Sequence, residues 1–301
     1  MKKTKILILG ITGMLGHALF ARLSKCRDFD VFGTARDTSA LSKWFSPELL
    51  GKTRGNVNAD NIDTITRTIA DIRPDIVINA IGIIKQAPAA QDPLKAIAVN
   101  ALLPHRIALL CKAAGARLIH ISTDCVFSGG KGRYIEDDIA DAVDLYGRTK
   151  LLGEVVYPHC ITLRTSIIGH ELKGKHGLVE WFLAQEGEVR GFSRVMFSGL
   201  PTVELARVIA DYVIPDGGLN GLYQVSSHPI SKYDLLRLVA DRYRKTIVIE
   251  PEASPSRDRT LDSTLFRRST GYTPPEWPEL VDAMYCDYAT APYYRQTDQE
   301  E

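Results

Sequence analysis

The sequence predicts a doubly wound α/β protein, a parallel sheet with helices on both faces, completed by a smaller, discontinuous lobe from the second half. Three observations predict it. Short β-branched runs alternate with amphipathic stretches through the first half. The first run opens directly into a glycine-spaced turn, Gly10-Ile-Thr-Gly13-Met-Leu-Gly16. The segments between runs are long enough to hold a helix, and crossovers of that length join parallel strands.

The elements follow in order. Residues 5–9 are a continuous apolar run, as expected of a strand buried on both faces. Residues 14–24 read as a helix with Leu15, Leu19 and Leu23 on one face. Residues 30–35 form a second strand, and 61–72 a helix that ends before Pro74. Residues 75–80 are a strand, and 93–114 a long helix with Gly115 just past its end. A strand at 117–122, a helix bearing Tyr146 and a strand at 161–166 complete the first half. Later come helices at 178–185 and 203–213, a strand at 222–225, and a helix at 231–243 with Ser231 as N-cap. Beyond it the chain is Pro-, Ser- and Arg-rich, without an assigned element, and residues 296–301 read as a disordered tail.

Composition excludes several classes. An apolar content of 45% and a charged content of 24% are those of an ordinary globular chain. Net charge is +1, so no nucleic-acid or anionic-lipid footprint is expected. The five cysteines form no C-x-x-C pair, which argues against a zinc site or a disulfide framework. His170, His176 and His228 lack metal-ligand spacing, and no metal is expected. No apolar run is long enough for a signal or a span, so a cytoplasmic location is expected.

The glycine turn has the spacing logic of a dinucleotide cradle. Gly10 permits the tight turn, Gly13 lets backbone approach a diphosphate, and Gly16 lets helix and strand pack closely. Thr12, Met14 and Leu15 complete the segment whose helix N-terminus would face the phosphates. At the end of the second strand stands Arg36, which suits a 2′-phosphate and favours NADPH; Asp37 follows it and leaves NADH open. Asn79, Ala80 and Ile81 close the next core strand, where small side chains leave room for a ribose; Asn79 equally suits a loop-satisfying amide.

Tyr146 and Lys150 are four apart on a helix and share a face. An ammonium beside a phenol favours the phenolate, so the Tyr146 pKa is expected to fall toward working pH. A Tyr so placed exchanges a proton with an alcohol or ketone. Ser122 or Thr123 ends the preceding strand and could hold the same oxygen. His120 reads as a structural histidine of that strand, Trp181 as core or as a base or sugar contact, and Arg257 and Arg259 as diphosphate ligands or a solvated loop. Lys173 and Lys175 read as solvated surface lysines.

GITGMLG, INAIG, AVNALLP, HISTDCVFSG, YGRTKLLGE and LRTSIIG, in this order, resemble the extended short-chain dehydrogenases/reductases over nearly the whole chain. Within them the chain is most similar to the dTDP-4-dehydrorhamnose reductases, through STDCVFSG, Arg164-Thr-Ser166, Pro201-Thr202 and the segment Arg257 to Asp262. The resemblance implies a Rossmann-type fold: residues 1–168 with 202–226 hold the cofactor, and 169–201 with 227–301 hold a sugar nucleotide. It implies Thr123, Tyr146 and Lys150 as the catalytic triad, with Ser122 as second choice beside Thr123. It adds Asn100 to the cofactor site and places Asp124, Cys125, Arg164 and Ser166 at the substrate. It also implies a homodimer through the helices bearing Asn100 and Tyr146.

Three departures bear on the substrate. Cys125 stands where the rhamnose-forming reductases carry Tyr, Phe197-Ser-Gly-Leu-Pro-Thr202 lacks their Gln, and the C-terminal segment lacks their Arg-Pro pair. The expected reaction is NADPH-dependent reduction of the C4 ketone of a nucleotide-linked 4-keto-6-deoxyhexose, for surface polysaccharide synthesis. The alternatives are a UDP-N-acetyl-4-keto-6-deoxy-L-sugar reductase, a nucleotide-sugar epimerase, or a non-catalytic regulatory subunit. A dehydratase would need a carboxylate where Cys125 stands.

Overall fold

The computed structural model describes residues 2–86, 88–291 and 294. Its centre is a seven-stranded sheet, in the order Gly221–Gln224, Cys160–Thr165, Arg117–Thr123, Ile76–Asn79, Thr4–Leu9, Phe29–Thr34 and Thr53–Arg54. Every pairing in it is parallel. Ile6 and Ile8 face one apolar core with Leu19 and Phe20, while Leu7 and Leu9 face the other with Ile65 and Ile69. That alternation explains the unbroken apolar run, because a strand covered on both sides has no polar face. Strand order reverses between Thr4–Leu9 and Ile76–Asn79, and a crevice opens at the carboxyl ends of strands at such a point.

The first-half helices follow local signals. Met14–Ser24 has the expected bounds. Ile62–Ile72 is capped by the Asn61 side chain and stops at Arg73, which takes a left-handed conformation just before Pro74. The 93–114 helix runs its full expected length and ends on Gly115 at φ 69°, a conformation glycine adopts without strain. Inside it, Ile97–Leu102 is a π-turn. Pro104 has no N–H to give the Asn100 carbonyl four residues earlier, so the hydrogen-bond ladder slips there. This helix is long and apolar enough to cross a membrane, but it packs on the sheet with half of its most apolar window buried, as core helices do.

The second half carries more structure than its sequence suggests. Glu188–Phe192 pairs with Val248–Glu252, and Val195–Phe197 lies between Ile230–Ser231 and Arg257–Asp258. The segment beyond residue 243, read as irregular, holds two helices, Thr264–Thr270 and Trp277–Thr290. The second starts with a reciprocal Glu276–Glu279 capping box and buries Trp277, Leu280, Val281 and Met284, a stripe at helical spacing. Ser231 caps Lys232–Arg242 as expected. The 178–185 helix is shorter, Leu178–Leu183. The tail at 296–301 lies outside the described residues.

Candidate active site

The glycine turn is built as a cradle. Gly10 has φ +88°, where any side chain is strained. A Cβ on Gly16 would lie 2.0 Å from the Gly10 carbonyl oxygen, so only glycine lets the helix start this close to the strand. A Cβ on Gly13 would meet nothing nearer than 3.6 Å, which leaves that face of the turn open. The Met14–Ser24 helix has no side-chain cap and no acid in its first turn, so its N–H groups and positive dipole end suit phosphate. His17 braces the turn from behind. Its Nδ1–H donates to the Gly13 carbonyl (2.9 Å), and Nε2 accepts from the Tyr294 hydroxyl (2.7 Å). Burial lowers its pKa to about 4, so the ring is neutral.

From the cradle a cleft of about 650 Å³ runs past Thr123, Tyr146 and Lys150 to Lys232, Arg257 and Arg259. Thr123 ends its strand, and its hydroxyl donates to Asp124 Oδ1 and accepts from the Cys125 N–H, both at 3.1 Å. Asp144 caps the Leu145–Leu152 helix at the Gly147 N–H and pairs with Lys85 at 2.8 Å. A Cβ on Gly147 would lie 2.2 Å from the Cys125 carbonyl oxygen. The Tyr146 helix therefore presses directly on the turn after Thr123.

Lys150 is buried, and its Nζ donates to the Ile121 carbonyl at 2.7 Å. Burial lowers its pKa to about 8, against the pull of Glu154. The Tyr146 pKa is raised, chiefly by burial, with the Thr123 hydroxyl acting the other way. This corrects the expectation of a depressed phenol: burial disfavours the phenolate, and the neighbouring Cys125, Asp124 and Asp144 add to that. At neutral pH Tyr146 is a phenol, the form that can donate a proton.

Thr12, Gly13, Met14 and Leu15 line the cradle end of the cleft, with Asn79, Ala80 and Ile81 beside them. Gly10 and Gly16 lie behind, shaping the turn. Asn79 is spent on structure: its Oδ1 accepts from the Ile81 N–H, and its amide meets His120 Nδ1 at 3.1 Å. Asn100 also acts through a loop, accepting from the Ile83 N–H (2.9 Å) and donating to the Ile83 carbonyl (3.1 Å). Arg36 is exposed past the end of its strand, off the cleft wall.

On the substrate side, Asp124, Cys125, Ser166 and Arg257 line the cleft. Burial raises the Asp124 pKa, and Arg259 and Lys232 oppose that shift. Burial pushes the Cys125 thiol up to about 11, and Arg259 Nη1 reaches its sulfur at 3.6 Å. Lys232 carried no sequence signal beyond its place after the Ser231 cap; the fold alone brings it to the cleft.

Two expected substrate contacts stand elsewhere. Arg164 is buried in a bidentate pair with Glu154 (2.8 and 2.7 Å), whose Oε1 also accepts from Ser122 at 2.7 Å. The guanidinium thus braces neighbouring strands. Arg164→Ala is expected to cost about 3–5 kcal/mol by stranding Glu154, read as a lower denaturation midpoint, with substrate KM unchanged in the folded fraction. Trp181 is 38% exposed and off the cleft wall, while its neighbour Phe182 takes the core position.

Comparison with known proteins agrees with this construction. Residues 4–290 match the family described as RmlD substrate binding domain. The dTDP-4-dehydrorhamnose reductase of Escherichia coli K12 is 28% identical, over 95% of this chain and 98% of that protein. The methionine adenosyltransferase 2 subunit beta of Danio rerio is 29% identical, over 79% of this chain and 74% of its own length. Among solved structures, the dTDP-4-dehydrorhamnose reductase of Bacillus anthracis in complex with NADP superposes with a TM-score of 0.78 at 21% identity, covering 95% and 99% of the two chains, which shows the shared fold. The chain belongs to the RmlD substrate-binding-domain family, within the extended short-chain dehydrogenases/reductases.

Proposed function

We propose that this chain uses NADPH to reduce the C4 ketone of a nucleotide-activated 4-keto-6-deoxyhexose. One observation carries the reading. Thr123, Tyr146 and Lys150 line the same cleft as an uncapped glycine cradle and the cations Lys232, Arg257 and Arg259. The cradle fits a dinucleotide diphosphate because Gly13 is open and the helix N–H groups are free of a side-chain cap. The three cations suit the diphosphate of a sugar nucleotide. Residues 1–168 with 202–226 would hold the cofactor, and 169–201 with 227–301 the sugar.

Bound NADPH supplies a hydride from the nicotinamide. Tyr146 donates its phenolic proton to the ketone oxygen as the carbonyl carbon is reduced. Thr123, which contacts the phenol, holds that oxygen in reach. Lys150 keeps positive charge beside the phenolate left behind and stabilises it until a proton from solvent restores the phenol. Asn100 holds the Ile83 loop over the site, so it acts as a positioning residue.

Cys125 supports a second reading. It is smaller than the Tyr of the rhamnose-forming reductases, which suits an acetamido group on the sugar. NADPH oxidation should therefore be followed with dTDP-4-keto-6-deoxy-L-mannose and with a UDP-linked 2-acetamido-4-keto-6-deoxy-L-sugar. Turnover of the first supports the rhamnose-type reading, turnover of the second alone makes Cys125 the specificity signal, and oxidation with neither rejects both. A regulatory role is the contrasting reading. A homodimer is supported by exposed Leu94, Leu102 and Leu109 on one long helix and Leu152 after Tyr146. A cytoplasmic location fits the use of NADPH and an activated sugar.

A further inference from the structure

We propose that Tyr294, which lies off the cleft wall, is a positioning residue for the dinucleotide and acts on the cradle through His17. The inference rests on the dinucleotide reading and adds a residue 277 positions along the chain from its partner.

The donors and acceptors run in one direction. The Gly13 carbonyl can only accept, so His17 Nδ1 carries the proton in the 2.9 Å bond between them. The ring is neutral, so Nε2 holds a lone pair and takes the Tyr294 hydroxyl proton at 2.7 Å. The His17 N–H donates to the same Gly13 carbonyl at 3.1 Å. Both bonds come from one residue, so the seat of the His17 ring sets the direction of that carbonyl.

The Gly13 C=O and the Met14 N–H belong to one planar trans peptide and point in opposite directions. Fixing the carbonyl toward the helix aims the Met14 N–H out of the helix end, where a phosphate would bind. Gly13 has no side chain to restrict its backbone, and a Cβ there would meet nothing nearer than 3.6 Å. The opening that admits a diphosphate thus leaves the turn soft, and His17 supplies the restraint.

Tyr294 is itself held. It is buried and follows the Trp277–Thr290 helix. Its ring meets His17 edge to face, with centroids 5.6 Å apart and planes at 87°. Tyr288 and His170 pack against it at 5.4 and 5.2 Å. His170 is buried, donates from Nδ1 to Glu180 Oε1 at 2.5 Å and meets the Tyr243 hydroxyl through Nε2 at 2.7 Å. Glu180, Tyr243 and Tyr288 belong to three different helices or their caps, so the second half of the chain reaches the back of the cradle through one phenol.

The test is calorimetric binding of NADPH to the full chain, which needs no sugar substrate. Tyr294→Phe keeps the ring contacts and should weaken NADPH about fivefold. His17→Phe should weaken it at least as much, and the double variant should bind no more weakly than His17→Phe alone, because both act through the same bond. Tyr243→Phe removes a hydroxyl from the same cluster without touching His17. It should lower the denaturation midpoint and change NADPH affinity less than about twofold. If His17→Phe fails to fold, the contrast between Tyr294→Phe and Tyr243→Phe decides the matter. Parental affinity in Tyr294→Phe, additive losses in the double variant, or equal weakening by Tyr243→Phe overturns the proposal and leaves the dinucleotide reading standing. A parent protein that binds no NADPH overturns both.

Discussion

Tyr146→Phe is expected to lower ketone reduction by about 10³-fold, with NADPH affinity changed less than about twofold. Phenylalanine keeps the ring and removes only the hydroxyl that meets Thr123. The cradle at Gly10–Gly16 does not involve the hydroxyl, so cofactor binding should survive. The direction of the Tyr146 pKa makes the prediction sharper. Burial keeps the phenol protonated through the neutral range, so the parent enters each turnover with its proton in place. Stopped-flow mixing of variant, NADPH and keto sugar checks this, because the loss should fall on the hydride step itself. A variant that reduces the ketone at near-parental rate would remove Tyr146 as proton donor. It would also strengthen the regulatory reading.

Lys150→Met should move activity and stability in opposite directions. Turnover is expected to fall about 10²-fold or more, because the variant lacks the charge that supports the phenolate. Stability at pH 7 should rise. The Lys150 pKa falls from 10.5 in the unfolded chain to about 8 in the folded one, because burial disfavours the ammonium. Between those values the unfolded chain holds a proton that the folded chain lacks, so the parent gains stability as pH rises through that window. Below pH 8 the full penalty remains, roughly 3 kcal/mol for a shift of this size. Methionine removes it but strands the Ile121 carbonyl, which costs about 1–2 kcal/mol. The net gain of about 1–2 kcal/mol at pH 7 should shrink above about pH 8, where the folded lysine is neutral, and be gone by about pH 10.5, where the lysine of the unfolded chain is itself half neutral. Urea melts at both pH values give the answer. A variant less stable than the parent at pH 7 would contradict the account of Lys150. In the parent, reduction should also slow above about pH 8, as Lys150 loses its proton.

Local chemistry made much of the site legible in the sequence. The cradle is a contiguous segment whose glycines have steric causes within the segment, and the Met14–Ser24 helix begins where the pattern places it. Tyr146 and Lys150 are one helical turn apart, so their shared face needs no tertiary knowledge. The misreadings involve partners set by the fold. Arg164 resembled a substrate arginine, yet Glu154 meets it because their segments adjoin in the folded chain. Trp181 and Phe182 differ by one step around a helix, and the core takes the second. Lys173 is a surface lysine as expected, although nothing in the sequence signals its seat over Trp44, more than a hundred residues earlier. The Trp277–Thr290 helix was the avoidable omission, because its buried stripe stands plainly at helical spacing.

The central claim is that this cleft delivers hydride to a sugar C4 ketone. The most direct test is single-turnover reaction of the protein with NADPH deuterated at nicotinamide C4 and the 4-keto-6-deoxy nucleotide sugars, with the product read by NMR. Deuterium at sugar C4, formed by the parent and lost in Tyr146→Phe, is the expected result. Unchanged keto sugar alongside tightly bound NADPH would contradict it.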